Sequence, residues 1–150
     1  MKREGSKPKN PEDKGFQILE HTADLRLKIR GSSDKELFIN AAKGMFSVIT
    51  SIDNIALKER IPVELRASKK EDLLIDWLNE LLFLINTKDM LFREFKIYEL
   101  NRGYIKAEAI GERIDSKRHK IITEIKAATY YNIKIISDDS GWSCEITFDV

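Results

Sequence analysis

The chain has 150 residues, 42% of them hydrophobic, and its 26 Lys and Arg against 25 Asp and Glu leave a formal net charge of +1. That length suits one domain, and the charge balance excludes a global electrostatic pull towards nucleic acid or a membrane surface. A lone cysteine, Cys144, excludes an internal disulfide and a thiolate zinc site, and reads instead as a small buried residue.

Residues 1–14 (MKREGSKPKNPEDK) hold two of the three prolines and no large apolar residue after Met1, so they are expected to form a flexible tail ahead of a single domain over 15–150. The tail lacks the apolar core of a secretory leader, and no window approaches the ~18 apolar residues of a membrane span, so a cytoplasmic protein is expected. Two strands follow, 16–20 and 24–30, separated by the polar His21-Thr22-Ala23-Asp24. The second alternates Leu25, Leu27 and Ile29 with Arg26, Lys28 and Arg30, giving one apolar and one polar face.

Ser33-Asp34-Lys35-Glu36 fits a capping box, with the Ser33 hydroxyl accepting from the Glu36 amide and the Glu36 carboxylate returning to the Ser33 amide. It predicts a helix to about Thr50 with Leu37, Phe38, Ala41, Ala42, Met45, Phe46 and Ile49 inward. RIPVELRA reads as a short strand, placed at a sheet edge by Pro62. Ser68-Lys69-Lys70-Glu71 offers a second capping box before a helix carried by Leu74, Trp77, Leu78, Leu81, Leu82 and Ile85. Four strand-like runs complete the chain, at 92–100, 104–111, 123–137 and 142–150, with turns at Asn101-Arg102-Gly103 and at 138–141. Strands at both ends around two main helices indicate an α+β fold with mostly antiparallel sheet.

Alternation in the last run sets Trp142, Cys144, Ile146, Phe148 and Val150 on one face and Ser143, Glu145, Thr147 and Asp149 on the other. If this strand neighbours 24–30, Asp24 and Asp149 meet at one end of the sheet. Two carboxylates there would either raise the pKa of one or recruit a hard cation such as Ca²⁺ or Mg²⁺, with an oxygen of Val150 as third donor. The plainer alternative is a turn aspartate and a solvated aspartate. His21 is equally open, as a ligand or acid/base or as a hydrogen-bonded structural side chain. The segment 112–131 gathers Arg113, Lys117, Arg118, His119, Lys120 and Lys126, which suits an anion or partner surface or simply a solvated loop. Tyr130, Tyr131 and Trp142 read as core or rim residues. Phosphate-loop, nucleophile-elbow, HExxH and CxxC signatures do not occur, so an independent enzyme is not expected.

Six motifs in order, Glu20-His21-Thr22-Ala23-Asp24, AAKGMFSVIT, DLLIDWLNELLF, GERIDSKRH, IKAATYY and the closing WxxxIxFDV, resemble the archease family across residues 16–150. The resemblance implies an archease fold containing an SHS2-like module. It implies a non-enzymatic activator of the RtcB-type RNA ligase of tRNA splicing, which promotes the ligase's guanylylation and multiple turnover and broadens its nucleotide use; tRNA would be met only through the ligase, and no membrane is involved. It also implies a divalent cation, calcium by preference, at Asp24, Asp149 and the main chain of Val150; His21, Arg118, His119 and Lys126 are candidates for support of that site or for partner contact. Many relatives carry Thr-Tyr-His-Gly where this chain has Thr129-Tyr130-Tyr131-Asn132, so no role is assigned to Tyr131. Two rival readings remain: a metal-dependent phosphoesterase or RNA-processing hydrolase using Asp24, His21 and Asp149, and a general chaperone or adaptor.

Overall fold

The computed structural model describes residues 14–21 and 24–150, with only the main chain of His21. The predicted tail up to residue 13, and Thr22 and Ala23 of the polar tetrapeptide, lie outside the described residues.

In chain order the elements are β1 (Phe16–His21), β2 (Leu25–Gly31), α1 (Asp34–Ile49), a 3₁₀ turn (Ile52–Asn54), β3 (Glu59–Arg66), α2 (Lys70–Lys88), β4 (Met90–Leu100), β5 (Tyr104–Arg113), β6 (Ala127–Ala128), β7 (Ile136–Asp138) and β8 (Gly141–Asp149). Every strand pair is antiparallel. The strands form two sheets: β1-β2-β8-β6, with β7 also on β8, and β3-β5-β4. The fold is therefore α+β, as the grouping of strands and helices predicts.

The first sheet follows from alternation. Leu25, Leu27 and Ile29 of β2 and Cys144, Ile146 and Phe148 of β8 are buried, while Arg26 reaches across the opposite face towards Glu20 and Glu145 at 3.4 and 3.9 Å. Helix α1 packs on β2 of this sheet and β4 of the other, and α2 touches β6 and all three strands of the second sheet. The helical pair thus fills the space between the sheets, which is why both helices bury a face wider than a simple stripe. Its centre is aromatic: Phe46 meets Phe92 edge-on at 5.8 Å and Trp77 meets Phe95 at 6.0 Å. The indole N–H of Trp77 is satisfied by the Phe38 carbonyl at 3.1 Å.

Several local expectations need correction. Ser33 caps α1 by accepting from the Glu36 amide at 3.1 Å, but the Glu36 carboxylate returns to the Ser32 amide, at 2.5 Å, one residue earlier than the box requires. Helix α2 starts one residue later than a Ser68 cap would dictate. Lys69 is its N-cap without a side-chain bond, and the Ser68 hydroxyl donates to Asp72 instead, at 3.2 Å. Strand β3 is the sheet edge that Pro62 predicts, yet it runs eight residues. The run 123–137 is no long strand: only Ala127–Ala128 and Ile136–Asp138 pair.

Candidate functional site

The first sheet brings the start of β2 and the end of β8 together. Their register runs from Gly31 opposite Trp142 to Leu25 opposite Phe148; one step further would bring Asp24 level with Asp149. Directly opposite residues share a face, with Cβ atoms about 5 Å apart, so a register continued past the paired residues would set the two carboxylates side by side. Asp149 is exposed and Asp24 half-buried. On the other side of β8, Asp149 pairs with Ala127, and its carbonyl accepts from the Lys126 amide at 2.8 Å. Lys126 and Asp149 therefore meet at one end of the sheet, where β2 also begins and Val150 follows in the chain. The main chain of His21 pairs with Leu25, closing the β1–β2 hairpin beside Asp24; its side chain lies outside the described residues.

Among the described residues no three His, Cys, Asp or Glu side chains gather as a metal-holding group. The sheet end offers two carboxylates and main-chain oxygens, an all-oxygen set that suits a hard divalent cation with water completing its shell.

Strand β6 is what holds the end of β8, and it is itself held unusually. The Asn79 side chain of α2 accepts from the Ala128 amide at 2.8 Å and donates to the Ala128 carbonyl at 3.0 Å, so a side-chain amide stands in for the next strand. Thr129 adds two bonds to the Thr147 carbonyl, from its amide at 2.9 Å and its hydroxyl at 2.8 Å. The Tyr130 hydroxyl donates to the Asp76 carboxylate, which pushes the phenol up to about 12. Both tyrosines of this segment stand out into solvent, Tyr131 at 68% exposure, which rules out the core and leaves the rim of the two expected placements. Trp142 is half-buried under the Lys70 ammonium, 5.0 Å from its ring centre. Cys144 is buried as expected, and burial pushes its thiol up to about 12.

Arg118 and His119 form a different cluster, around an acid that the sequence did not single out. Glu112, at the end of β5, is 3% exposed. Its carboxylate accepts from Arg118 at 2.6 Å, the Ala56 amide at 2.7 Å and His119 Nε2 at 2.9 Å. The Arg118 hydrogen bond, backed by the Ala56 amide and His119, holds the carboxyl down at about 2 against the cost of desolvation. His119 Nδ1 accepts from the Asp115 amide at 2.9 Å, which leaves Nε2 as the N–H that faces Glu112. His119 is buried rather than part of a solvated loop; it ties the loop after β5 to the 3₁₀ turn. One signal for Glu112 was available. Ile110 and Gly111 break the alternation of β5, as happens where both faces of a strand are covered.

The family model of the archease protein family matches residues 16–150. A protein archease of Methanosarcina barkeri is 38% identical over 141 residues, covering 91% of this chain and 97% of its own length. That of Pyrococcus abyssi is 35% identical over 141 residues, covering 91% and 99%. In three dimensions the chain is similar to the solution structure of Methanobacterium thermoautotrophicum protein 1598, with a TM-score of 0.77 at 30% identity and coverage of 91% and 99%. It is also similar to a crystal structure from Thermotoga maritima described as an archease and possible chaperone, with a TM-score of 0.58 at 26% identity and coverage of 89% and 96%.

Proposed function

Since the chain belongs to the archease protein family, we propose that it is a protein cofactor of an RtcB-type tRNA-splicing RNA ligase, and that Asp24, Asp149 and a main-chain oxygen of Val150 hold a divalent cation, calcium by preference. It promotes guanylylation of the ligase, sustains its multiple turnover and broadens its nucleotide use, with the bond-making chemistry left to the ligase. The observation that supports this reading is the β2–β8 register, with Leu25 opposite Phe148, which one further step on each strand would extend to Asp24 and Asp149. Two adjacent carboxylates repel one another, and a shared cation relieves that repulsion. When bound, the ion supplies positive charge at an otherwise acidic sheet end. The residues of the chain keep this end rigid: β8 is clamped between β2 and β6, and the Asp149 main chain is fixed by Lys126. A rigid, charged end can bias a nucleotide or metal step at the ligase without reacting itself.

The test is ligation under single-turnover and multiple-turnover conditions, with and without this protein and added Ca²⁺. Stimulation confined to multiple turnover is expected, and it should be lost in Asp24→Asn and Asp149→Asn variants that keep the wild-type circular dichroism. Full stimulation by both variants overturns the mechanism, and turnover of RNA or phosphoesters by the purified protein alone would favour the hydrolase. The chaperone reading rests on one feature, the exposed Ile121 and Ile122 beside an apolar groove lined by Ile49, Leu82 and Ile125. It predicts binding to many unfolded clients with no cation requirement.

A further inference from the structure

A second cleft, of about 500 Å³, opens between the 3₁₀ turn, the start of β4 and the loop after β5, lined by Asp53, Asn54, Ile55, Ala56, Arg93 and Arg118. Arg93 stands where the β4–β5 register slips. Phe92 pairs with Gly111 and Glu94 with Ile110, which leaves Arg93 as the extra residue of a bulge, and bulges re-aim side chains in this way. The bulge is built in, because a Cβ at Gly111 would overlap the Leu91 carbonyl oxygen. The Arg93 guanidinium spends one donor on the Ile55 carbonyl at 3.2 Å, and no carboxylate among the described residues pairs with it. A guanidinium has five N–H donors in a planar fork, so Arg93 is left with capacity facing the cleft. The Arg118 side chain on the same cleft is fixed by Glu112 at 2.6 Å and by the Asn54 carbonyl at 3.2 Å.

We propose that this cleft receives the carboxylate of an aspartate or glutamate side chain from a protein partner. A planar carboxylate matches the guanidinium fork with two parallel hydrogen bonds, the strongest use of an arginine at an interface. The surroundings argue against a polyanion. Asp53 lines the cleft, Glu112 and Asp115 lie against Arg118, and the chain as a whole carries a net charge of only +1. Lys58 adds a further cation, 3.7 Å from Glu112, but these acids interrupt the positive charge that a nucleic-acid backbone would follow, whereas one carboxylate needs only the fork. The inference stands whether or not the partner is the ligase, and it is tested on the protein alone.

The measurement is a nuclear magnetic resonance titration of the full chain, following the Nε–Hε signal of Arg93. The probes are a capped Gly-Glu-Gly peptide, its Gln counterpart, sodium phosphate and a short single-stranded RNA, at matched ionic strength. The Glu peptide is expected to give a saturable shift that the Gln peptide does not, and the shift should vanish in a spectrum of Arg93→Gln. Asp53→Asn, which removes the acid from the cleft wall, should tighten binding of the Glu peptide and decides the matter if the first variant does not fold. An equal or larger effect of phosphate, RNA or the Gln peptide overturns the proposal, as does unchanged or weaker binding in Asp53→Asn.

Discussion

Glu112 shows how much one side chain can carry. It is an ionised group inside the fold, kept there by a guanidinium, an amide and an imidazole N–H. Replacing the carboxylate by an amide weakens its bonds to Arg118 and His119, while the part-exposed Arg118 keeps Asp115 and the Asn54 carbonyl, so Glu112→Gln should lower the unfolding free energy by about 1–3 kcal/mol. The pH dependence has a definite sign. The folded-state pKa of about 2 lies below the ordinary 4.5, so the unfolded chain binds the extra proton as pH falls. The stabilisation is complete above pH 4.5 and drains away between there and about 2. Urea unfolding at several pH values should show this slope in the wild type and a flatter one in the variant. Asp24 and Asp149 could be singled out because period-two alternation assigns faces without knowledge of the rest of the fold. Arg93 could not, because it owes its direction to a bulge and a bulge is a property of two strands.

At the scale of elements, the two serines ahead of the helices make a controlled pair. Ser33 caps α1 through the Glu36 amide, so Ser33→Ala should cost about 1 kcal/mol. Ser68 makes no cap bond and touches only Asp72 at the surface, so Ser68→Ala should stay within about 0.5 kcal/mol. Denaturant midpoints of the two variants give the comparison directly. Strand β6 depends on a side chain in the same way: Asn79→Ala leaves the amide and carbonyl of Ala128 unpartnered, a loss of about 1–3 kcal/mol, and hydrogen exchange at Ala128 and Thr129 should accelerate ahead of that at β2. Residues 123–137 read as a strand because isoleucine, threonine and tyrosine are frequent there, yet their main chain finds other partners. The Thr123 amide donates to the Ile49 carbonyl and the Ile135 amide to the Glu71 carboxylate. Such bonds to distant residues leave no trace in local periodicity, whereas α1 and α2 are spelled out by theirs.

At the scale of the molecule, the cation reading makes a prediction that needs no ligase. An ion bound only by the folded chain raises stability by about 2.7 kcal/mol at a hundredfold excess over its dissociation constant. Thermal unfolding with and without Ca²⁺ should show the rise in the wild type and none in Asp24→Asn or Asp149→Asn; a rise of equal size in all three would place the ion elsewhere. The two sheets and the helical layer were foreseeable as a class from the grouping of strands and helices. Which strands neighbour which was not, since β2 joins β8 across most of the chain.

That pairing also fixes an order of events during synthesis. Leu25 meets Phe148, so β2 leaves the ribosome long before its partner exists and has only β1 to pair with until residues 141–149 emerge. The helices and the second sheet, whose contacts are closer in sequence, can consolidate meanwhile. A chain halted before residue 141 has an open sheet edge at β2. Until β8 docks, the main-chain groups of β2 that face away from β1 have water as their only partner, so this edge of the first sheet is the last to be covered.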